Sequence, residues 1–172
     1  MKKLYLDCDG VILDTIRTSY EILKKNNITG DRQIAEFYNN LDWGKLIVLS
    51  GEIDNSISKI KLLAKYFDIK ILTHIHSSKE GESKKKYFSE KLPNIDVILV
   101  DKKIDKCDKV NPKGAILVDD FLDNLEKWEK KGGIGVKFSV SGKKSMFITI
   151  KDLLELLEIN FDMGEKTTEI LN

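Results

Sequence analysis

The stretch Lys3-Leu-Tyr-Leu-Asp-Cys-Asp-Gly-Val-Ile-Leu-Asp-Thr15 decides how the rest of the chain is read. Leu4 and Leu6 flank Tyr5, two aspartates one residue apart follow, and Gly10 comes next. A short apolar run that stops at acidic residues and a glycine reads as a buried strand running into a turn. In an open parallel sheet, ligands sit at the carboxyl ends of the strands. Asp7 and Asp9 are therefore expected on the rim of a cleft. Carboxylates held that close repel each other unless a cation or a shared proton compensates. Magnesium suits the task, because it is hard, takes oxygen ligands and keeps waters for a phosphate.

The 172 residues allow one core-sized domain with a small insertion. Hydrophobic residues make up 41% and charged residues 33%, which suits a soluble globular protein. A formal net charge of +1 gives no electrostatic argument for a polyanion partner, and no nucleic acid polymer is expected. No apolar run approaches the roughly 20 residues of a membrane helix. Met1-Lys2-Lys3 leads straight into the first strand, unlike a signal peptide with its longer uncharged stretch. The two cysteines, Cys8 and Cys107, read as free thiols of a reducing cytoplasm, since a disulfide at Cys8 would obstruct the cleft. As a nucleophile Cys8 is disfavoured, because two flanking carboxylates push its pKa up.

Working outward, Ile16, Tyr20, Ile22 and Leu23 recur at helical spacing until Asn26-Asn27. A second helix starts at Gly30-Asp31, with Ile34, Phe37, Tyr38 and Leu41 on one face. These two form a helical insertion, 15–51, between core segments 1–14 and 52–172. Within it the run Lys45-Leu-Ile-Val-Leu-Ser50 reads as an apolar connector back to the core. A helix follows from Asp54-Asn-Ser56 to Tyr66, then a strand Asp68–Thr73. A polar stretch with Gly81 precedes a helix over 82–91, closed by Leu92-Pro93. Asp96–Val100 and Gly114–Asp120 are continuous apolar strands, as in a sheet covered on both faces. Phe121, Leu122, Leu125 and Trp128 mark a helix stopped by Gly132-Gly133, and Ile134–Phe138 is a fifth strand. A last helix spans Asp152–Ile159, and the polar tail from Gly164 is expected to fray. Strands alternating with helices predict an α/β fold, a Rossmann-like three-layer sandwich around a central parallel sheet. The clusters Lys84-Lys85-Lys86, Lys102-Lys103, Lys130-Lys131 and Lys143-Lys144 read as solvated surface.

Strand ends thus bring Asp7, Asp9, Thr73, Asp119 and Asp120 to one rim. A phosphate ester resists an anionic nucleophile, and a divalent cation shared between carboxylates and a phosphate oxygen offsets that repulsion. Asp7 then has the chemistry of a nucleophile, and Asp9 that of a general acid and base. Thr73 can donate to a phosphate oxygen, and a lysine is needed as a point charge.

These residues resemble the four motifs of the haloacid dehalogenase-like (HAD) superfamily, which is mostly phosphatases. The resemblance implies Asp7 as nucleophile and metal ligand. It implies Asp9 as acid/base that also binds Mg2+ through its carbonyl, Thr73 as the second-motif hydroxyl, and Asp119-Asp120 as metal-binding. The third-motif lysine lies among Lys106, Lys109 and Lys113. Asp108-Lys109-Val110, ahead of Gly114-Ala-Ile-Leu-Val-Asp-Asp, resembles the 5'(3')-deoxyribonucleotidase branch and points to Lys109, with Lys106 next. The chain departs from that branch in having no proline before Gly51 and in His74 after Thr73.

The expected substrate is a small phosphomonoester, first among them a nucleoside monophosphate. A sugar-phosphate phosphatase or phosphomutase is the alternative within the superfamily. Tyr20, Phe37, Tyr38 and Trp43 are the aromatics available to a base, and His74 a substrate contact. A receiver-like phosphate-binding module fits less well, because its acidic pair precedes its acceptor aspartate in the chain. The reading leaves room for a homodimer.

Overall fold

The computed structural model describes residues 1–161 and the backbone of 165–166. The expected frayed tail from Gly164 otherwise falls outside the described residues. The elements run β1 (Lys2–Leu6), α1 (Thr15–Lys25), α2 (Asp31–Asn40), α3 (Trp43–Ser50), α4 (Ser56–Leu63), β2 (Phe67–Ile75) and α5 (Ser78–Lys91). They continue β3 (Asp96–Asp101), α6 (Lys106–Lys109), β4 (Ile116–Asp119), α7 (Leu122–Lys130), β5 (Ile134–Phe138) and β6 (Ile148–Ile150). A 3₁₀ helix, Leu153–Glu158, and the small antiparallel pair β7 (Ile159–Asn160) and β8 (Glu165–Lys166) close the chain.

Six strands form one parallel sheet in the order β3-β2-β1-β4-β5-β6. Alternation along β1 makes the two core layers. Leu4 and Leu6 pack with Ile60, Leu63 and Phe88 from α4 and α5, while Tyr5 faces the opposite layer with Leu125 and Trp128 from α7. Trp128 is wholly buried, meets the Tyr5 ring edge-on at 5.4 Å, and donates its indole N–H to the Ala115 carbonyl at 2.9 Å. The result is the expected α/β three-layer sandwich. Among the described residues no helix is long and apolar enough to cross a membrane.

From β1 the sheet grows in both directions, through β2 to β3 and through β4 to β6. The order therefore reverses between β1 and β4, where open α/β sheets bind ligands. Asp7 directly follows β1 and Asp119 ends β4, and the Asp7 N–H donates to the Val118 carbonyl at 2.9 Å.

The segment between residues 15 and 50 holds three helices, not two and a connector. Asp42 caps α3 by accepting from the Lys45 N–H at 3.0 Å, and Trp43, Leu46 and Ile47 turn inward while Val48 and Leu49 face out. The continuous apolar run hid this one-sided burial. The chain leaves and returns through paired segments: the Asp14 N–H donates to Gly51, and the Ile53 N–H to Ile12.

Three other expectations shift. Helix α5 starts at Ser78, four residues before the expected 82, because Gly81 lies inside the helix and packs tightly on β3. A Cβ there would come within 2.6 Å of Leu99 Cδ1. The three-residue edge strand β6 was too short to register as a pattern. The last helix is a 3₁₀ turn, held by a capping box between Asp152 and Glu155.

Candidate active site

Carboxylate oxygens of Asp7, Asp119 and Asp120 lie within 4.8 Å of one another at the β1/β4 junction. Asp7 and Asp119 are buried and Asp120 is half-buried. Between them sits the ammonium of Lys106, 2.8 Å from Asp7 Oδ1 and 2.7 Å from Asp119 Oδ2. Asp119 is further fixed by the Phe121 N–H and the Asn124 amide, each at 2.9 Å. Burial, reinforced by Asp119, Asp9 and Asp120 against the pull of Lys106, raises the Asp7 pKa to about 8. Burial and then Asp119 raise that of Asp120 to about 6. The cluster is thus short of positive charge. Its donors are all oxygen, the set that magnesium takes.

The lysine assignment needs correction. Lys109 is exposed at the end of α6, whereas Lys106, at its start, is buried and paired to both aspartates. Both residues share one short helical turn, and only the packing of α6 shows which of them faces inward.

Asp9 stands apart from the three-carboxylate cluster. Its Oδ1 accepts from Thr15 Oγ1 at 2.6 Å, and its Oδ2 from Lys84 Nζ at 2.5 Å and from Thr73 Oγ1 at 3.4 Å. Burial pushes its pKa up, but the Lys84 charge and the hydrogen bonds from Lys84 and Thr15 outweigh it and hold Asp9 below the ordinary carboxylate range. The carboxylate of Asp9 is thus turned to Lys84 and Thr15. The resemblance assigned its carbonyl, not this group, to the metal.

Lys84 corrects the reading of its cluster as solvated surface: it is wholly buried. Besides Asp9 it donates to Thr73 Oγ1 and the His74 carbonyl, both at 3.0 Å, and to Glu80 Oε1 at 2.7 Å. Glu80, also buried, went unnoticed in the sequence. The available signal was their spacing of four, which places both on one helix face.

Thr73 is buried in β2, which runs two residues beyond the expected end to Ile75. His74 lines the cavity, but its Nε2 is engaged by the Ile104 carbonyl at 2.9 Å. Cys8 is buried, with burial and then Asp9 holding its thiol well above its ordinary pKa, so a nucleophilic role finds no support.

Gly10 makes the cluster geometrically possible. Its φ is +79°, and a Cβ would fall 2.5 Å from Asp120 Oδ2. Gly10→Ala is expected to displace the Asp120 carboxylate and so to open the three-carboxylate cluster. A crystal structure of the variant checks this; an Asp120 carboxylate unmoved beside Asp7 and Asp119 would refute it.

A cavity of about 570 Å³ opens over these groups. Its floor includes Asp7, Asp9 and Asp120. Ile16 and Tyr20 of α1, Tyr38 of α2 and Trp43 of α3 form its walls. The rings of Tyr38 and His76 are nearly parallel at 5.2 Å, and Trp43 lies 5.9 Å from His76.

No protein-family model matches the chain, and no curated protein matches it in sequence. Solved structures do match. A HAD-hydrolase from Bacillus subtilis bound to magnesium superposes with a TM-score of 0.61 at 14% identity, covering 90% of this chain and 96% of that one. A HAD phosphatase from Thermococcus onnurineus gives 0.60 at 17%, covering 96% and 100%. The chain has the fold of the HAD-superfamily hydrolases. A HAD-superfamily hydrolase of subfamily IA from Geobacter sulfurreducens gives 0.59 at 13%, covering 91% and 98%. These likenesses are of fold; they do not single out the nucleotidase branch.

Proposed function

We propose that the protein is a magnesium-dependent phosphatase of the HAD superfamily, hydrolysing a small phosphomonoester through an aspartyl-phosphate at Asp7. The observation that carries this reading is the convergence of Asp7, Asp119 and Asp120 around Lys106, with Asp9 and Thr73 beside them. Asp7, Asp119 and Asp120, with the Asp9 carbonyl that the resemblance implies, would hold magnesium, which when bound would supply charge neutralisation for a phosphoryl group.

Asp7 Oδ attacks phosphorus in line, and the bond to the departing oxygen breaks. Lys106 holds Asp7 in place and balances the charge of the phosphoryl group. Thr73 orients a phosphoryl oxygen. Asp9 gives a proton to the departing oxygen and later takes one from the water that cleaves the aspartyl-phosphate. Lys84 and Thr15 favour Asp9 as the carboxylate, but an anionic phosphate beside it favours the protonated acid.

Within this class we favour a nucleoside monophosphate, in the manner of the 5'(3')-deoxyribonucleotidases. The cap formed by 15–51 and the aromatic wall of Tyr38, Trp43 and His76 support that choice. Trp43 Nε1 is buried and has no partner among the described residues, so an acceptor on the substrate would satisfy it. A panel of nucleotide and sugar phosphates tests the choice, with deoxyribonucleoside monophosphates expected to give the highest kcat/KM. A preference for a sugar phosphate would replace the nucleotidase by a sugar-phosphate phosphatase.

Magnesium dependence has its own measurement. EDTA should abolish turnover, and magnesium should raise Tm. Asp7 and Asp120 titrate near 8 and 6 in the folded chain against about 4 unfolded. The metal-free fold thus binds more protons than the unfolded chain, and it loses stability as pH rises from about 4 through 8. The rise in Tm with magnesium is therefore expected to be larger at pH 8 than at pH 5. Full activity in EDTA would exclude the metal role.

A further inference from the structure

Helix α5 carries a charged pair, of which Glu80 enters no step above. Glu80 and Lys84 lie one turn apart on its inner face, both buried, at the carboxyl end of β2. The Lys84 ammonium bridges two carboxylates, Asp9 Oδ2 at 2.5 Å and Glu80 Oε1 at 2.7 Å. The second oxygen of Glu80 is occupied as well. Oε2 accepts from the His76 backbone N–H at 2.6 Å and lies 3.1 Å from the His76 ring. That ring stacks on Tyr38 of α2, 5.2 Å away with 8° between planes, and lies near parallel to Trp43 of α3. Trp43 in turn has the Lys84 ammonium 5.7 Å from its ring centroid. An unbroken set of contacts therefore runs from the Asp9 carboxylate through Lys84, Glu80 and His76 to the wall that α2 and α3 contribute.

A buried ammonium that loses one of two anionic partners is drawn toward the one that remains. Lys84 also donates to Thr73 Oγ1 and the His74 carbonyl; Glu80 adds the second carboxylate, and the His76 N–H on Glu80 Oε2 keeps that carboxylate still. Resting on the phosphatase reading, we infer that Glu80 is a positioning residue. Acting through Lys84, it sets where the Asp9 carboxyl stands and ties that placement to the aromatic wall over the substrate. The step it serves is the first proton transfer. As Asp7 Oδ bonds to phosphorus and the old P–O bond breaks, the departing oxygen keeps the electron pair and takes the proton of the Asp9 carboxyl. A misplaced Asp9 hurts most where that oxygen needs the proton most.

The test compares phenyl phosphate with p-nitrophenyl phosphate, whose nitro group lets phenolate leave with little help. The two share a ring, so cavity fit changes little between them. The quantity read is kcat/KM, which ends at the departure of the phenol. Glu80→Gln keeps the shape and removes the charge. It is expected to lose about tenfold more on phenyl phosphate than on p-nitrophenyl phosphate, with the loss set by the share of proton transfer in the barrier. Glu80→Asp keeps the charge but withdraws it by one methylene, and should show a smaller bias in the same direction. A melting curve accompanies each variant, and Glu80→Asp decides the matter where Glu80→Gln does not fold. Equal losses on both substrates, or none, would overturn the inference while the phosphatase reading stands. Absence of any turnover by the wild-type protein would instead remove the phosphatase reading, and this inference with it.

Discussion

Asp7→Asn is expected to reduce turnover of p-nitrophenyl phosphate by on the order of 10⁴-fold or more, the scale on which a nucleophile working with its partners is lost. The amide has almost the shape of the carboxylate but no anionic oxygen to bond to phosphorus. The substitution should not unfold the protein. Burial and three neighbouring carboxylates already push Asp7 toward its neutral form, and Lys106 keeps Asp119 as a partner. In EDTA the variant should therefore melt at or above the wild-type temperature. Acid-quenched phosphoprotein should be trapped from the wild type and not from the variant. Substantial turnover by a folded Asp7→Asn protein would end the aspartyl-phosphate mechanism.

The second large effect is on stability as well as on rate. Lys106→Met leaves Asp7 and Asp119 buried without their shared cation. Stranding a buried charge in this way costs about 3–5 kcal/mol, which for a chain of this size is a fall of roughly 10 °C in Tm. Loss of the charge facing the phosphoryl group should lower kcat by about 10²–10³-fold, as for other fixed donors to a developing charge. Magnesium is expected to restore part of the stability, because it neutralises the same carboxylates, but not the rate. Lys109→Met is the comparison. Its side chain is exposed, so a change within about 0.5 kcal/mol is expected. Thermal melts and kinetics of the two variants side by side check the assignment. A damaged Lys109→Met beside an intact Lys106→Met would return the role to Lys109.

The two lysines also show where reading the chain reached its limit. The identity of strands β1 to β5, their order along the chain and the aspartates at the strand ends were legible, because each depends on neighbours a few residues away. Apolar runs stopping at Asp7, Thr73 and Asp119 carry their own punctuation, and a parallel sheet puts such ends on one rim. The same local signals misled at Lys45–Ser50, where four apolar residues in a row mask a helix that buries one side. They misled again at Gly81, where a glycine suggested a loop although close packing on Leu99 had selected it.

What the sequence by itself determined was which carboxylates and which hydroxyl stand at the carboxyl edge of the sheet. Only the tertiary structure decided which cations serve them. A lysine side chain is long, and the same residue type covers a surface or pairs in the interior according to how its helix is rotated. Lys84 and Lys106 meet Asp9, Asp7 and Asp119 across separations of 75, 99 and 13 residues. Contacts at that range follow from the packing of α5 and α6 on the sheet, and no local spacing encodes them.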